Sequence, residues 1–216
     1  MDKLGVAATM PRADSAIAGP QRCVLALVMA AVLSFPSALL AKCIDTEAGQ
    51  VPHRIVYRDG TVQTNERVDG LRFHYSVFTS NGQSLTAVTH LGLFPIENTW
   101  DEGRKTNRYV WDSELPSREA LRVGTVVRRT GHMVHPDNSE TPVEMVVAIL
   151  RESVVEVDGC RYRVFKVRTQ VGPNLRPVVI VLRDMDPRGL FNLNADITEY
   201  RADGVRQTEY SAVKID

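Results

Sequence analysis

Four pairs of turn residues that end in glycine constrain the fold of this chain more than any other feature. Asp59-Gly60, Asn81-Gly82, Asp158-Gly159 and Asp203-Gly204 each separate two short runs rich in β-branched and aromatic residues. Such a pair adopts positive φ at low cost, as the type I′ turn of a β-hairpin requires. Four hairpins along one chain predict an antiparallel sheet rather than parallel strands joined by helices.

The remaining apolar runs predict an all-β domain of about ten strands, at the spacing typical of sandwiches and barrels. Further strand candidates lie at 109–111, 125–130, 143–151 and 178–183. The apolar run at 143–150 fits either a buried strand or a buried helix, and its valines favour a strand. One short helix is predicted around 117–121. Polar turn-forming residues predict mobile loops at 97–106, 136–141 and 172–176.

The strand that starts at Cys160 indicates a curved sheet. Its apolar residues alternate through Tyr162 and Val164 but continue at Phe165 and Val167, so the apolar face shifts by one residue. A β-bulge near Val164 and Phe165 would keep these residues on one side and bend the strand. We therefore predict a single curved antiparallel sheet, either a half-barrel or a barrel-like sandwich.

Residues 1–41 have the layout of a secretory signal peptide, with basic residues before an uncharged apolar segment at 23–41. Small residues and Pro36 lie near the end of that segment, as expected before a cleavage site. We predict a signal helix, cleavage after Ala41, and one β domain at 42–216 that is periplasmic or secreted.

Two other interpretations of this segment remain open. An apolar stretch of about 20 residues also suits an uncleaved membrane anchor. Cys43 follows a sequence that resembles the lipid-attachment box of bacterial lipoproteins, although Lys42 stands where that box has a small residue. Under the cleaved interpretation, the protein contacts the membrane only through its signal segment.

Cys43 and Cys160 are the two cysteines outside the predicted signal peptide, which contains Cys23. Disulfides form in the oxidising compartments to which exported proteins are delivered. We therefore predict a Cys43–Cys160 disulfide, with two unpaired cysteines as the alternative.

The charge balance argues against a nucleic-acid partner. The chain has 26 Lys and Arg residues and 26 Asp and Glu residues, whereas binding to a phosphate backbone favours a basic excess. It also lacks the glycine-rich loops that cradle phosphates and the Gly-x-Ser-x-Gly motif of serine hydrolases. No cofactor is predicted.

His132 and His135 have the most metal-like spacing in the chain. On a strand they would point to opposite faces, and a zinc site needs a third ligand, which no recognisable pattern supplies. We interpret them as loop histidines. Asp184 and Asp186 similarly fit a polar turn before Pro187 better than a catalytic pair or a calcium loop.

Trp100, Tyr109 and Trp111 flank a charged loop and are the candidate ligand-binding residues. Aromatic side chains offer a large apolar area with a polar edge, which suits the mouth of a binding site. The alternative is that they cap one end of the core.

The C-terminal half resembles a group of uncharacterised exported bacterial proteins. The resemblance lies in the strand, glycine turn and strand at 152–164, the strand at 178–184, the turn at 187–190, and 200–204, with an upstream Leu-x-x-Gly entry at 121–124. It implies a curved antiparallel sheet, in some members similar to periplasmic lipoprotein carriers, and implies no catalytic residue.

These observations predict a non-enzymatic, exported β-sheet protein that acts as a binding or envelope-associated module. An apolar or lipid-like ligand is expected in the concave face of the sheet. The alternative is a secreted hydrolase or metalloenzyme that uses His132 or His135.

Overall fold

The computed structural model describes residues 43–100, 103–173 and 178–216. The predicted signal helix, the cleavage site at Ala41 and the boundary at 41/42 lie outside these residues. The described chain forms one closed antiparallel barrel of twelve strands in which consecutive strands are neighbours. The strands are β1 Arg54–Tyr57, β2 Val62–Asp69, β3 Arg72–Phe78, β4 Ser84–His90, β5 Phe94–Trp100, β6 Lys105–Trp111, β7 Val126–Val134, β8 Glu140–Val157, β9 Cys160–Gly172, β10 Val179–Met185, β11 Asn192–Arg201 and β12 Gly204–Ile215.

The all-β, antiparallel prediction is confirmed, and each of the four glycine turns joins two paired strands. In the last hairpin Arg201 is opposite Gly204, so the turn residues are Ala202 and Asp203, one position earlier than predicted. The short helix predicted around 117–121 is a 3₁₀ turn at Arg118–Ala120.

The predictions of a half-barrel and of about ten strands are wrong. The short first strand pairs with β2 on one side and with the last strand on the other, where Ile55 is opposite Ile215. This pairing closes the sheet and leaves no free edge in the described wall. Closure satisfies backbone groups that an open sheet would expose at its edges.

The loop predicted at 97–106 is also wrong in part, because most of it belongs to β5 and β6. Asn98 is opposite Asn107. The hydroxyl oxygens of Thr99 and Thr106 lie 3.1 Å apart in a hydrogen bond. Polar cross-strand pairs stabilise this hairpin where the sequence offers few apolar residues.

The two strands predicted at 143–151 and 154–157 are one continuous strand, β8. Its register against β9 shifts between Ile149 and Arg151, where Arg151 is opposite Lys166 and Glu152 is opposite Phe165. The irregularity predicted at Val164 and Phe165 therefore exists, but the extra residue is Leu150 in the partner strand. Both sides of the shift contribute buried residues, among them Val164 and Val167.

One end of the barrel, which we call the packed end, is filled by apolar side chains. They come from the strand ends and from the turns at 91–93 and 190–191, and include Ile55, Phe73, Leu91, Leu93, Phe94, Ile149, Met185, Phe191 and Leu193. Burial of each large side chain contributes about 2–3 kcal/mol. Gly92 is required here because a Cβ at this position would lie 2.1 Å from the carbonyl oxygen of Leu190.

Cys43 and Cys160 form the predicted disulfide, with their Cα atoms 5.5 Å apart. The bond attaches the segment before β1 to the first residue of β9, at the tip of the long β8–β9 hairpin. It closes a loop across 117 positions of sequence, which constrains the unfolded chain strongly.

Candidate functional site

The end of the barrel opposite the packed end, which we call the loop end, carries the turns at 58–61, 79–83, 135–139 and 202–203, together with the last residues of β5 and β9 and the first residues of β6 and β10. Its inward-facing side chains are half-buried rather than buried, including Val77, Leu85, Asn98, Tyr109 and Tyr210. Solvent can reach an inward side chain of a closed barrel through an open end. Among the described residues, the inner side chains at the loop end are therefore partly accessible to solvent.

Arg183 projects from β10 into this interior. It is opposite Val167, which has no exposed surface, and it alternates with the buried residues Val181 and Met185. Alternate residues of a strand share a face, so Arg183 lies on the inner, mainly apolar face of the wall.

The Nε atom of Arg183 is buried and has no hydrogen-bond partner. Among the described residues, the guanidinium forms no ion pair either. Burial lowers the pKa of Arg183, and two tyrosines, Tyr75 and Tyr57, act in the opposite direction. An arginine nevertheless keeps its charge in a protein, so the interior holds an uncompensated cation.

Tyrosines surround this cation. Both Tyr57 and Tyr75 interact electrostatically with Arg183, and the ring of Tyr210 meets Tyr57 edge-on at 5.8 Å between centroids. Burial is the main cause that raises the pKa of Tyr57, Tyr75 and Tyr210. Their phenols are therefore neutral at physiological pH and able to donate hydrogen bonds.

Polar partners fix the ring of Tyr57. Its hydroxyl lies 3.1 Å from both Gln63 Oε1 and the carbonyl oxygen of Asn192, which share its single proton as acceptors. Gln63 Nε2 donates to Asn65 Oδ1 at 2.6 Å, and Asn65 Nδ2 donates to the Pro52 carbonyl at 2.8 Å. The hydroxyl of Tyr75 has no such partner among the described residues, so it is available to a ligand.

The structure places all three predicted aromatic residues on the inner side of the wall. Tyr109 stacks on Trp111 with centroids 6.4 Å apart, and Trp111 meets Phe94 edge-on at 6.0 Å. Trp111 Nε1 donates to the Pro95 carbonyl, which fixes it near the packed end. Trp100 is opposite Leu85 at the loop end.

The predicted residues and the cation belong to one region, because Tyr109 interacts electrostatically with Tyr75. Asn98 Nδ2 donates to the Tyr109 hydroxyl at 3.5 Å. Sequence reasoning missed Arg183, Tyr57, Tyr75 and Tyr210. The alternation of Val181, Arg183 and Met185 was the available signal, because it places a charge on an apolar face.

The two predicted histidines do not converge. His132 lies in β7 with its Nε2 atom 3.8 Å from Glu140 Oε1, whereas His135 follows the strand and its Nε2 atom lies 2.8 Å from Thr141 Oγ1. Across 43–100, 103–173 and 178–216, no group of three or more His, Cys, Asp or Glu side chains is arranged to hold a metal ion.

The two aspartates considered as a catalytic pair have structural contacts. Asp184 lies on the outer face, where its Oδ1 atom is 2.8 Å from Lys166 Nζ. Asp186 Oδ1 accepts hydrogen bonds from the backbone N–H groups of Arg188 and Gly189, which fixes the turn between β10 and β11. Burial raises the pKa of the Asp186 carboxyl, against the effect of these hydrogen bonds.

A cleft of about 630 Å³ lies outside the barrel wall, between the N-terminal segment and the β8–β9 hairpin. Its charged groups largely pair with one another. Glu47 is 3.6 Å from both Arg163 and Arg188, and Arg118 donates to the Arg188 carbonyl. The cleft therefore offers fewer unsatisfied groups to a ligand than the barrel interior does.

No helix in the described part of the chain is long and apolar enough to cross a membrane. No protein-family model matches the chain, and no curated protein matches it. Among solved structures, it is similar to the hypothetical lipoprotein YmcC from Escherichia coli K12, with 11% identity and a TM-score of 0.44. The match covers 74% of this chain and 82% of that chain.

Proposed function

We propose that this protein is an exported, non-enzymatic binding module that holds an amphipathic ligand inside its barrel. The observation that carries the proposal is the accessible inner face at the loop end, where apolar and aromatic side chains surround Arg183 and the tyrosines. Binding sites for small molecules are typically concave, mainly apolar and equipped with a few polar groups. The aromatic side chains Trp100, Tyr109 and Trp111 would contact the apolar part of the ligand.

The proposed location rests on two features. The N-terminal sequence has the layout of a signal peptide, and the disulfide suits an oxidising compartment. Mass spectrometry of the protein recovered from a bacterial envelope is expected to find Lys42 as the first residue. Recovery of an intact Met1 in the membrane fraction would contradict cleavage. An added lipid mass on Cys43 would instead support the lipoprotein alternative.

The alternative of a secreted hydrolase or metalloenzyme receives no support from the placement of His132 and His135. Each makes a separate contact, and these contacts are typical of surface structure. An enzyme site is expected to bring several polar groups of perturbed ionisation together in one cleft.

A fluorescent fatty-acyl probe tests interior binding directly. The delipidated exported protein is expected to bind it saturably at one site per chain. Val77→Trp, which fills the interior, is expected to weaken binding about 10-fold or more, at 1.4 kcal/mol per tenfold change. Val110→Trp adds the same side chain on the exposed outer face and serves as the matched control. Absence of saturable binding, or equal effects of the two tryptophans, would overturn the proposal.

A further inference from the structure

Resting on the proposed function, we infer that the ligand is a single-tailed organic anion whose acid group binds Arg183 and the hydroxyl of Tyr75. The apolar tail would lie towards the loop end. Arg183 lies on the inner face of the wall, has no ion-pair partner among the described residues, and interacts with Tyr75, whose hydroxyl has no hydrogen-bond partner there.

Among the described residues Arg183 has no ion-pair partner, although three carboxylates lie near its region of the barrel. Asp184 points outward to Lys166, and Asp59 accepts hydrogen bonds from the backbone N–H and the hydroxyl of Thr61. Glu199 accepts hydrogen bonds from the guanidinium of Arg201. Arg183 is half-buried, and a partly buried charge without a partner is costly, so a site that keeps one is suited to a ligand that supplies the opposite charge.

The unpartnered Nε atom defines the chemistry of recognition. A guanidinium presents planar N–H donors that match two oxygens of a carboxylate or phosphate, and Nε is one of those donors. Because Arg183 Nε is buried and unpaired, a two-point contact with an acid group would satisfy it. A neutral alcohol or ester would leave the charge uncompensated.

The hydroxyl of Tyr75 completes the acid-binding region. The hydroxyl of Tyr75 is free of hydrogen bonds to the described residues, and burial keeps its phenol protonated by raising its pKa. It therefore supplies an O–H donor beside the guanidinium. Hydrogen bonds to an ionised acceptor are about twice as strong as those between neutral groups.

The direction of the tail follows from the two ends of the interior. Met185 is the next inward-facing residue of β10 towards the packed end. It has no exposed surface, and beyond it the core is filled. Towards the loop end the wall presents Val179 and Val181, and half-buried Leu85 lies on the inner face of β4. An apolar chain attached to the acid group would therefore extend from the cation towards the loop end.

The test compares dodecanoate with dodecanol, which has the same tail without the charge, by calorimetric titration of the delipidated exported protein. We expect dodecanoate to bind at least about 10-fold more tightly, as expected for one to two charge-assisted hydrogen bonds. Arg183→Met should abolish this preference and Arg183→Lys should retain part of it. Arg168→Met removes the same charge from the exposed outer face of β9 and should change nothing.

The possible failures are distinguishable. Equal binding of dodecanoate and dodecanol, unchanged in Arg183→Met, would overturn the acid-group inference and leave the binding function intact. Binding of neither compound would overturn both. If acetate displaced dodecanoate at equal concentration, the site would bind a free small anion. That result would overturn the inference that the ligand has an apolar tail.

Discussion

Arg183 and Asp184 are adjacent in sequence, yet their charged groups lie on opposite faces of the barrel wall. Strand alternation directs Arg183 towards the tyrosines of the interior and Asp184 towards Lys166 on the outer surface. The nearest carboxylate along the chain therefore cannot neutralise the interior cation. Asp184 is only 4% exposed and is further held by Asn194 Nδ2 at 2.9 Å.

Removal of the interior charge is expected to stabilise the ligand-free protein. Arg183→Met replaces an unpaired cation with an apolar side chain of similar length and should raise the free energy of unfolding by about 1–2 kcal/mol. Urea denaturation measures this change. Arg168→Met, on the outer face, is the control and should stay within about 0.5 kcal/mol of wild type. A loss of stability in Arg183→Met would show that the guanidinium has an internal partner.

Loss of the Lys166 charge is expected to lower the free energy of unfolding. Lys166→Met leaves the buried Asp184 carboxylate with Asn194 alone, and breaking a buried ion pair in this way is expected to cost about 2–4 kcal/mol. Lys214→Met breaks a pair of the same length with Asp216, but the two side chains there are 55% and 40% exposed. That control should cost less than about 1 kcal/mol in the same urea experiment. Equal costs would mean that burial does not strengthen the pair between Lys166 and Asp184.

Reduction of the disulfide should destabilise the fold without changing its strand pairing. The closed loop is long, so the chain-entropy model predicts a loss of about 4–5 kcal/mol. Thermal and urea unfolding with and without a thiol reductant measure the loss. A Cys43→Ser and Cys160→Ser double variant should match the reduced protein and should not respond to the reductant. Little change on reduction would indicate that the unfolded chain retains structure near Cys43.

Stability is expected to fall as the pH rises above about 10, where phenols of an unfolded chain lose their protons. In the folded protein burial raises the pKa of Tyr57, Tyr75 and Tyr109, so these groups keep their protons over the same range. Because the folded state then binds more protons, each rise in pH favours unfolding. Below the pKa of the unfolded phenols this contribution is fully present.

Phenolate absorbance in the near ultraviolet, followed after a jump to alkaline pH, checks this expectation. A slow increase in absorbance that coincides with unfolding is the expected result. Tyr57→Phe should reduce the slope of unfolding free energy against pH above pH 10. Immediate ionisation of all the tyrosines in the folded protein would contradict burial of the inner phenols.

Local features of the fold were predictable because their causes are local. A glycine turn such as Asp158-Gly159 requires only its own backbone geometry, and the disulfide required only two cysteines and an oxidising compartment. The hairpin of β5 and β6 was not predictable in the same way. Its stability depends on cross-strand polar pairs such as Thr99 with Thr106, which have no periodic apolar signal.

Closure of the barrel and the site inside it depend on residues that are distant in sequence. No short-range pattern indicates that Ile55 pairs with Ile215. Trp100, Tyr109 and Trp111 stood out as aromatic residues beside a charged loop. Arg183 did not, because the apolar run before it leaves the inward face of β10 ambiguous until its neighbours are known.

The pairing of β1 with β12 also affects how the protein folds. The first and last strands of the wall are far apart in sequence, so every intermediate in which they have not yet paired exposes two unpaired strands to other chains. Contacts between such distant positions form slowly, since a long loop must be ordered before they contribute. The folding protein therefore needs protection from aggregation until β1 and β12 pair.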